Sequence, residues 1–203
     1  MKIGIKKEQQ EDNFVKINHE IKSMFVHYRN AAELVKEIKY FPRKNEAFYI
    51  WLQGNFIFGD FITQFIVHYQ IQLFELTIIT LSITRNNIEA LDELIKQGYC
   101  DKINLVLSDY YIRTEKIKQT KTIELLNKLT VNNSKFNLYS TETHQKIVLL
   151  HTKLNNKIIF HGSANMKGSQ NFEQLMIDNN DELYNFNYES LNKLTNGSIR
   201  SRG

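Results

Sequence analysis

Two short stretches of this 203-residue chain carry residue types suited to chemistry at phosphorus, His144-Gln145-Lys146 and, further on, Gly162-Ser163-Ala164-Asn165. A phosphodiester is anionic and repels anionic nucleophiles, whereas a neutral imidazole attacks phosphorus without adding like charge. A lysine beside it steadies the oxygens whose negative charge must be held through transfer. Lys146 lies two residues after His144, a spacing that on a strand sets both side chains on one face. The Ser163 hydroxyl, the Asn165 amide and nearby backbone N–H groups complete a phosphate cradle, and Gly162 lets the backbone come close. Such a set requires neither a metal nor a cofactor.

A second His-x-Lys, His151-Thr152-Lys153, competes with the first, and position separates them. Gln145 to Leu150 reads as a buried strand and Lys157 to His161 as the next. Thr152 to Asn156 reads as the hairpin turn between them, where Asn155-Asn156 suits left-handed backbone angles. His151 then sits at the rim of the turn, and His144 with Lys146 is the functional pair.

From His144 to Glu173 the sequence resembles the HKD signature of the phospholipase D superfamily, specifically its short, single-motif bacterial and phage nuclease-like members. Weaker similarity runs upstream through LTIITLSITRNNIEAL and INLVLSDYY, so that the resemblance covers residues 46 to 190. It implies that His144 forms a covalent phosphohistidine and that Lys146, Ser163 and Asn165 bind the same phosphate. It further implies that Glu173, in Asn171-Phe172-Glu173, orients a catalytic histidine through the ring nitrogen not used in chemistry. Three departures stand beside the match. The signature aspartate is His151 here, the stretch from it to the Gly-Ser loop is longer than usual, and the gap from Asn165 to Asn171 is shorter. The odd offset of position 151 from His144 sets it on the opposite face of a strand.

The family reaction uses two histidines, one attacking phosphorus and one protonating the leaving alcohol. A chain with one motif must borrow the second, so the resemblance implies a homodimer whose active site straddles the twofold axis. The expected function is a metal-independent phosphodiesterase, a nuclease with DNA favoured over RNA as substrate. A lapsed nucleic-acid-binding or assembly protein that keeps the fold is the alternative, with the missing aspartate as its sign. A lipid phosphodiesterase is a third, because a fold does not fix its substrate.

Composition bounds these readings without choosing among them. A balance of 26 basic against 22 acidic residues, net +4, suits a nucleic-acid partner and a lysine-rich solvated surface equally. A hydrophobic share of 42% supports one core and a single domain. The one cysteine, Cys100, excludes an intrachain disulfide, and with no secretory signal and no apolar run of spanning length a cytoplasmic location is expected. His27, His68 and His161 have no paired spacing, cysteine partners or clustered carboxylates, so no metal site is assigned.

The elements that must position the pair follow from periodicity. Residues 1–12 read as a flexible N-terminus, 13–45 as a helical segment packed on the main domain, 46–195 as that domain and 196–203 as a flexible basic tail. In the second segment Ile17, Ile21, Phe25, Tyr28, Ala32, Val35 and Ile38 recur at helical spacing before Pro42, as one long helix or a broken pair. Ala47 to Gln53 and Phe56 to Phe58 flank Gly54-Asn55 as a hairpin, and Asp60 caps a helix carrying Phe61, Phe65 and Tyr69. Leu76 to Ile83 reads as a strand, and Asn86 with Glu89 starts a helix that ends near Gly98. Strands at Ile103 to Ser108, Phe136 to Tyr139 and Leu175 to Asp178 accompany helices at Thr114 to Leu129 and Asp181 to Leu194. The result is an α/β sandwich, a mixed sheet flanked by helices, in one domain.

Strand ends in such folds line clefts. Tyr110 and Tyr111 follow one such end and are placed to stack on bases, with packing as the rival reading. Arg85 follows another and is placed to touch backbone phosphate, with an exposed helix start as its rival. His161, directly before Gly162, would line the pocket mouth.

Overall fold

Runs rich in Ile, Leu, Val and Thr build the middle of the molecule. Ile103–Ser108 is buried along its whole length, and the last five residues of Leu73–Thr80 are buried as well, the pattern of strands covered on both faces. In the computed structural model, which describes residues 20–25, 31–52, 56–168 and 171–196, these are two of eight strands. In chain order the elements are β1 (Glu20–Phe25), α1 (Ala31–Glu37), β2 (Glu46–Leu52), α2 (Phe58–His68), β3 (Leu73–Thr80), α3 (Arg85–Lys96) and β4 (Ile103–Ser108). They continue with α4 (Asp109–Ile117), α5 (Lys121–Asn132), β5 (Phe136–Thr141), β6 (Ile147–Thr152), β7 (Lys157–Gly162), β8 (Glu173–Asn179) and α6 (Asp181–Asn196).

All eight strands join one mixed sheet in the order β1-β2-β8-β7-β6-β3-β4-β5. β3, β4 and β5 run parallel, β6, β7 and β8 alternate antiparallel, and β2 lies antiparallel to β8 and parallel to β1. The carboxyl ends of β2, β3, β4, β5 and β7 therefore meet the amino ends of β6 and β8 along a single edge.

Strand alternation divides the core between two faces. Val148, Leu150, Ile158 and Phe160 point to the layer of α1 to α5, where Phe160 packs edge-on against Phe61 and Phe65. Leu149 and Ile159 point the other way, onto Tyr184 of α6, as Ile79 and Val106 do onto Leu191. The expected α/β sandwich with a mixed sheet is what the chain forms.

Several local expectations are corrected. Residues 20–25, read as helical, form the edge strand β1 paired in register with β2, and among the described residues of that segment only Ala31–Glu37 is helix. Ile21 and Phe25 are four residues apart, which fits a helix face, but they also share one face of a strand, and pairing with β2 decides between the two. No hairpin joins β2 to Phe58, because Phe58 opens α2; Gly54 and Asn55 lie outside the described residues. Asp60 sits in the first turn of α2 rather than at its N-cap, which is Ile57. The cap of α3 falls two residues earlier than expected, at Thr84, whose side chain accepts from the Asn87 backbone N–H while Asn87 reaches back to the Thr84 N–H. The helix read as Thr114 to Leu129 is two helices, parted where Gln119 takes φ 48° and Thr120 caps α5. The expected tails at 1–12 and 196–203 lie outside the described residues, apart from Asn196 at the end of α6.

Cys100 is 1% exposed and its thiol donates to the Lys102 carbonyl at 3.1 Å; burial pushes its pKa up to about 12. A disulfide reagent at pH 8 is expected to leave native Cys100 unmodified and to label it fully after denaturation; rapid native labelling would contradict this burial. An unfolded thiol ionises near 8.5, so the stability held by the buried neutral form is complete below about pH 8.5 and is lost progressively above it. No helix among the described residues is long and apolar enough to cross a membrane.

Candidate active site

His144 and Lys146 do not lie on a strand, as the spacing suggested. β5 ends at Thr141 and β6 begins at Ile147, yet β3 and β4 stand between them in the sheet. Residues 142–146 must therefore cross the ends of both strands, and His144 lies in the middle of that crossing. Thr143 anchors it: the residue is 7% exposed and its hydroxyl accepts the Gln145 N–H at 3.1 Å. His144 is exposed, and its ring makes no hydrogen bond among the described residues. Lys146 is half-buried and folds back so that Nζ donates to the His144 carbonyl at 2.8 Å.

The cradle residues meet Lys146 through neighbouring strand ends. Gly162, the last residue of β7, donates its N–H to the Lys146 carbonyl at 3.4 Å. A Cβ at Gly162 would lie 2.1 Å from the Gln174 carbonyl oxygen, so only glycine lets β7 and β8 close to this distance. Ser163 donates its N–H to that same carbonyl at 3.1 Å, accepts the Gln174 N–H on Oγ at 2.9 Å, and donates its hydroxyl to the Glu173 carboxylate. Lys146, Ser163 and Glu173 thus occupy three adjacent strand ends. Glu173 was expected to hold a histidine ring, but within the chain its carboxylate is engaged by Ser163.

Beyond Ser163 the loop folds onto the helical layer. Ala164 and Met166 are buried, and the amide oxygen of Asn165 between them is buried with no donor among the described residues. Met166 is held on both sides, its N–H donating to Thr80 Oγ1 at 3.3 Å and its carbonyl accepting the Gly59 N–H at 3.2 Å. Gly59 in turn lies against Asn87, where a Cβ would come within 2.4 Å of Nδ2, and that nitrogen donates to Asp60 at 3.1 Å. Burial raises the Asp60 pKa. The sequence gives Thr80, Gly59 and Asn87 no role at this loop: Thr80 falls within the run Leu76 to Ile83 that reads as a strand, and nothing local ties any of the three to the loop.

No protein-family model matches the sequence, and no curated protein does either. Solved structures do share its architecture. The phospholipase D family member Nuc from Salmonella typhimurium aligns with a TM-score of 0.54 at 17% identity, over 78% of this chain and 100% of its own. The chain has the phospholipase D fold. TrmBL2, an archaeal chromatin protein with a novel mode of DNA binding, aligns with a TM-score of 0.50 at 12% identity, over 83% of this chain and 58% of its own.

Within this phospholipase D fold the remaining candidates separate. His151 lies at the far end of β6 and faces α6, with Nε2 3.2 Å from Asn155 Oδ1 and its ring beside Phe74 and Tyr184. Asn155 has φ 62°, the left-handed angle expected in the turn. Tyr110, in the first turn of α4, is 73% exposed and open to a stacking partner. Tyr111 is withdrawn instead: its ring packs on the core, its hydroxyl donates to the Ile83 carbonyl, and burial pushes its pKa up to about 12. Arg85 opens α3 as an exposed residue paired with Glu89 at 2.7 Å. His161 is half-buried and pairs with Ile147 and Met176, on the α6 side of the sheet and away from the cradle's face.

Proposed function

We propose that this protein is a metal-independent phosphodiesterase, a nuclease that hydrolyses DNA through a phosphohistidine at His144, with an active site completed by a second copy. The observation that carries the reading is the convergence of Lys146, Ser163 and Glu173 on three neighbouring strand ends, with His144 exposed on the crossing beside them. Lys146 and the loop hold the phosphoryl oxygens while the His144 imidazole bonds to phosphorus. The bond to the leaving oxygen breaks, and that oxygen takes a proton from His144 of the second copy. Water, deprotonated by that same second imidazole, then attacks phosphorus, releasing the phosphate monoester and free His144. Exposed Tyr110 beside the crossing supplies a ring on which a base can stack. The phospholipase D family membership of Nuc and the DNA binding of TrmBL2 support the same reading.

Labelled single- and double-stranded DNA incubated with the purified protein in excess EDTA is expected to be cut. Cleavage only with added metal would overturn the mechanism. Salt-sensitive binding without cleavage would favour a second reading, DNA binding by a lapsed enzyme, to which the likeness to a chromatin protein and His151 in the aspartate's place both lend weight. A shared site makes the rate per chain fall on dilution as dimers dissociate. A rate per chain that stays constant while light scattering reports monomers would remove the second copy from the mechanism.

A further inference from the structure

We propose that Thr80 is a positioning residue, its hydroxyl holding the 163–167 loop so that Ser163 and Asn165 meet the phosphate bound by Lys146; this rests on the phosphodiesterase reading above. Thr80 ends β3 and is 1% exposed. Its side chain is committed twice: Oγ1 donates to the Ser82 carbonyl at 3.1 Å and accepts the Met166 N–H at 3.3 Å. The residue before it, Ile79, pairs with Ile147, which directly follows Lys146 in the chain. Thr80 is therefore tied to the loop through its hydroxyl and lies next in sequence to the residue that pairs with the start of β6, where Lys146 enters.

The Met166 N–H lies in a buried stretch where a lost partner is not replaced by water. Gly59 secures the same residue from the carbonyl side, so the loop's tip is pinned between the start of α2 and the end of β3. Removing one pin leaves the chain in place at Gly59 but frees the peptide that follows Asn165. A displacement on the order of 1 Å at a phosphate-binding group lowers turnover by up to about a hundredfold.

Thr80→Val keeps the shape and removes the hydroxyl, whereas Thr80→Ser keeps the hydroxyl. With bis-para-nitrophenyl phosphate as substrate, the Val variant is expected to lose about tenfold to a hundredfold in kcat/KM and the Ser variant to stay within about threefold. Competitive inhibition by inorganic phosphate should weaken in parallel, with the pH profile unchanged. Hydrogen exchange at the Met166 amide should quicken in the Val variant and not in the Ser variant, at matched unfolding midpoints. A Met166 amide as protected in the Val variant as in the parent overturns the proposal, as does a Ser variant impaired as much as Val. If the parent cleaves no phosphodiester, the functional reading fails by itself, and exchange at Met166 still decides whether Thr80 holds the loop.

Discussion

The His144→Ala variant is expected to fold like the parent and to cleave DNA at no more than about a thousandth of its rate, the loss that follows removal of an attacking group when no other can replace it. The fold tolerates the change because the side chain is exposed and its ring makes no hydrogen bond among the described residues. Exposed positions free of such bonds shift stability by only about 0.5 kcal/mol. His151, the other motif-like histidine, cannot substitute, since it lies at the opposite end of β6 and faces α6. Single-turnover cleavage in EDTA, run beside thermal unfolding, checks both halves of the expectation. Acid-labile, base-stable label retained on the parent and absent from the variant would identify the phosphohistidine. A variant keeping a tenth of the parent's rate would move the nucleophile elsewhere.

Gly162→Ala is expected to damage stability and activity together. The new methyl group would lie 2.1 Å from the Gln174 carbonyl oxygen, 3.0 Å from the Gln174 carbonyl carbon and 3.2 Å from the Leu175 Cα, all backbone atoms of β8. No rotamer change relieves such a contact, so β7 and β8 must part where Gly162 faces Leu175. Overpacking of this kind costs about 1–3 kcal/mol, which for a chain of this length lowers Tm by several degrees. Separation of the strands also breaks the two bonds between Ser163 and the Gln174 backbone. Activity should therefore fall at least about tenfold even where the variant remains folded. Calorimetry with kcat/KM measured well below the variant's Tm tests this, and a Gly162→Ala protein as stable and active as the parent would show that the strands yield freely.

What could be read from the sequence was whatever rests on local pattern. Ile103–Ser108 forms the strand expected, residue for residue, because six successive buried residues suit a central strand and little else. The hairpin of β6 and β7 follows from apolar runs around Asn155, whose side chain tolerates the left-handed angle the turn needs. His144, Lys146, Gly162, Ser163, Asn165 and Glu173 could be proposed as a set from the sequence because the proposal rests on residue type and order along one segment. Where those residues go was not legible, since it depends on pairing between distant segments. β1 is a strand because β2 offers it a partner, and Tyr111 leaves the cleft because Ile83 offers its hydroxyl an acceptor. The insertion of β3 and β4 between β5 and β6 turns the His144 segment into a crossing over strand ends. Thr80 lies 86 residues from Met166, and Gly59 and Asn87 touch across two helices. Hydrogen bonds and close contacts of that range exist only once the sheet has closed, so the tertiary structure alone decided how the loop is held.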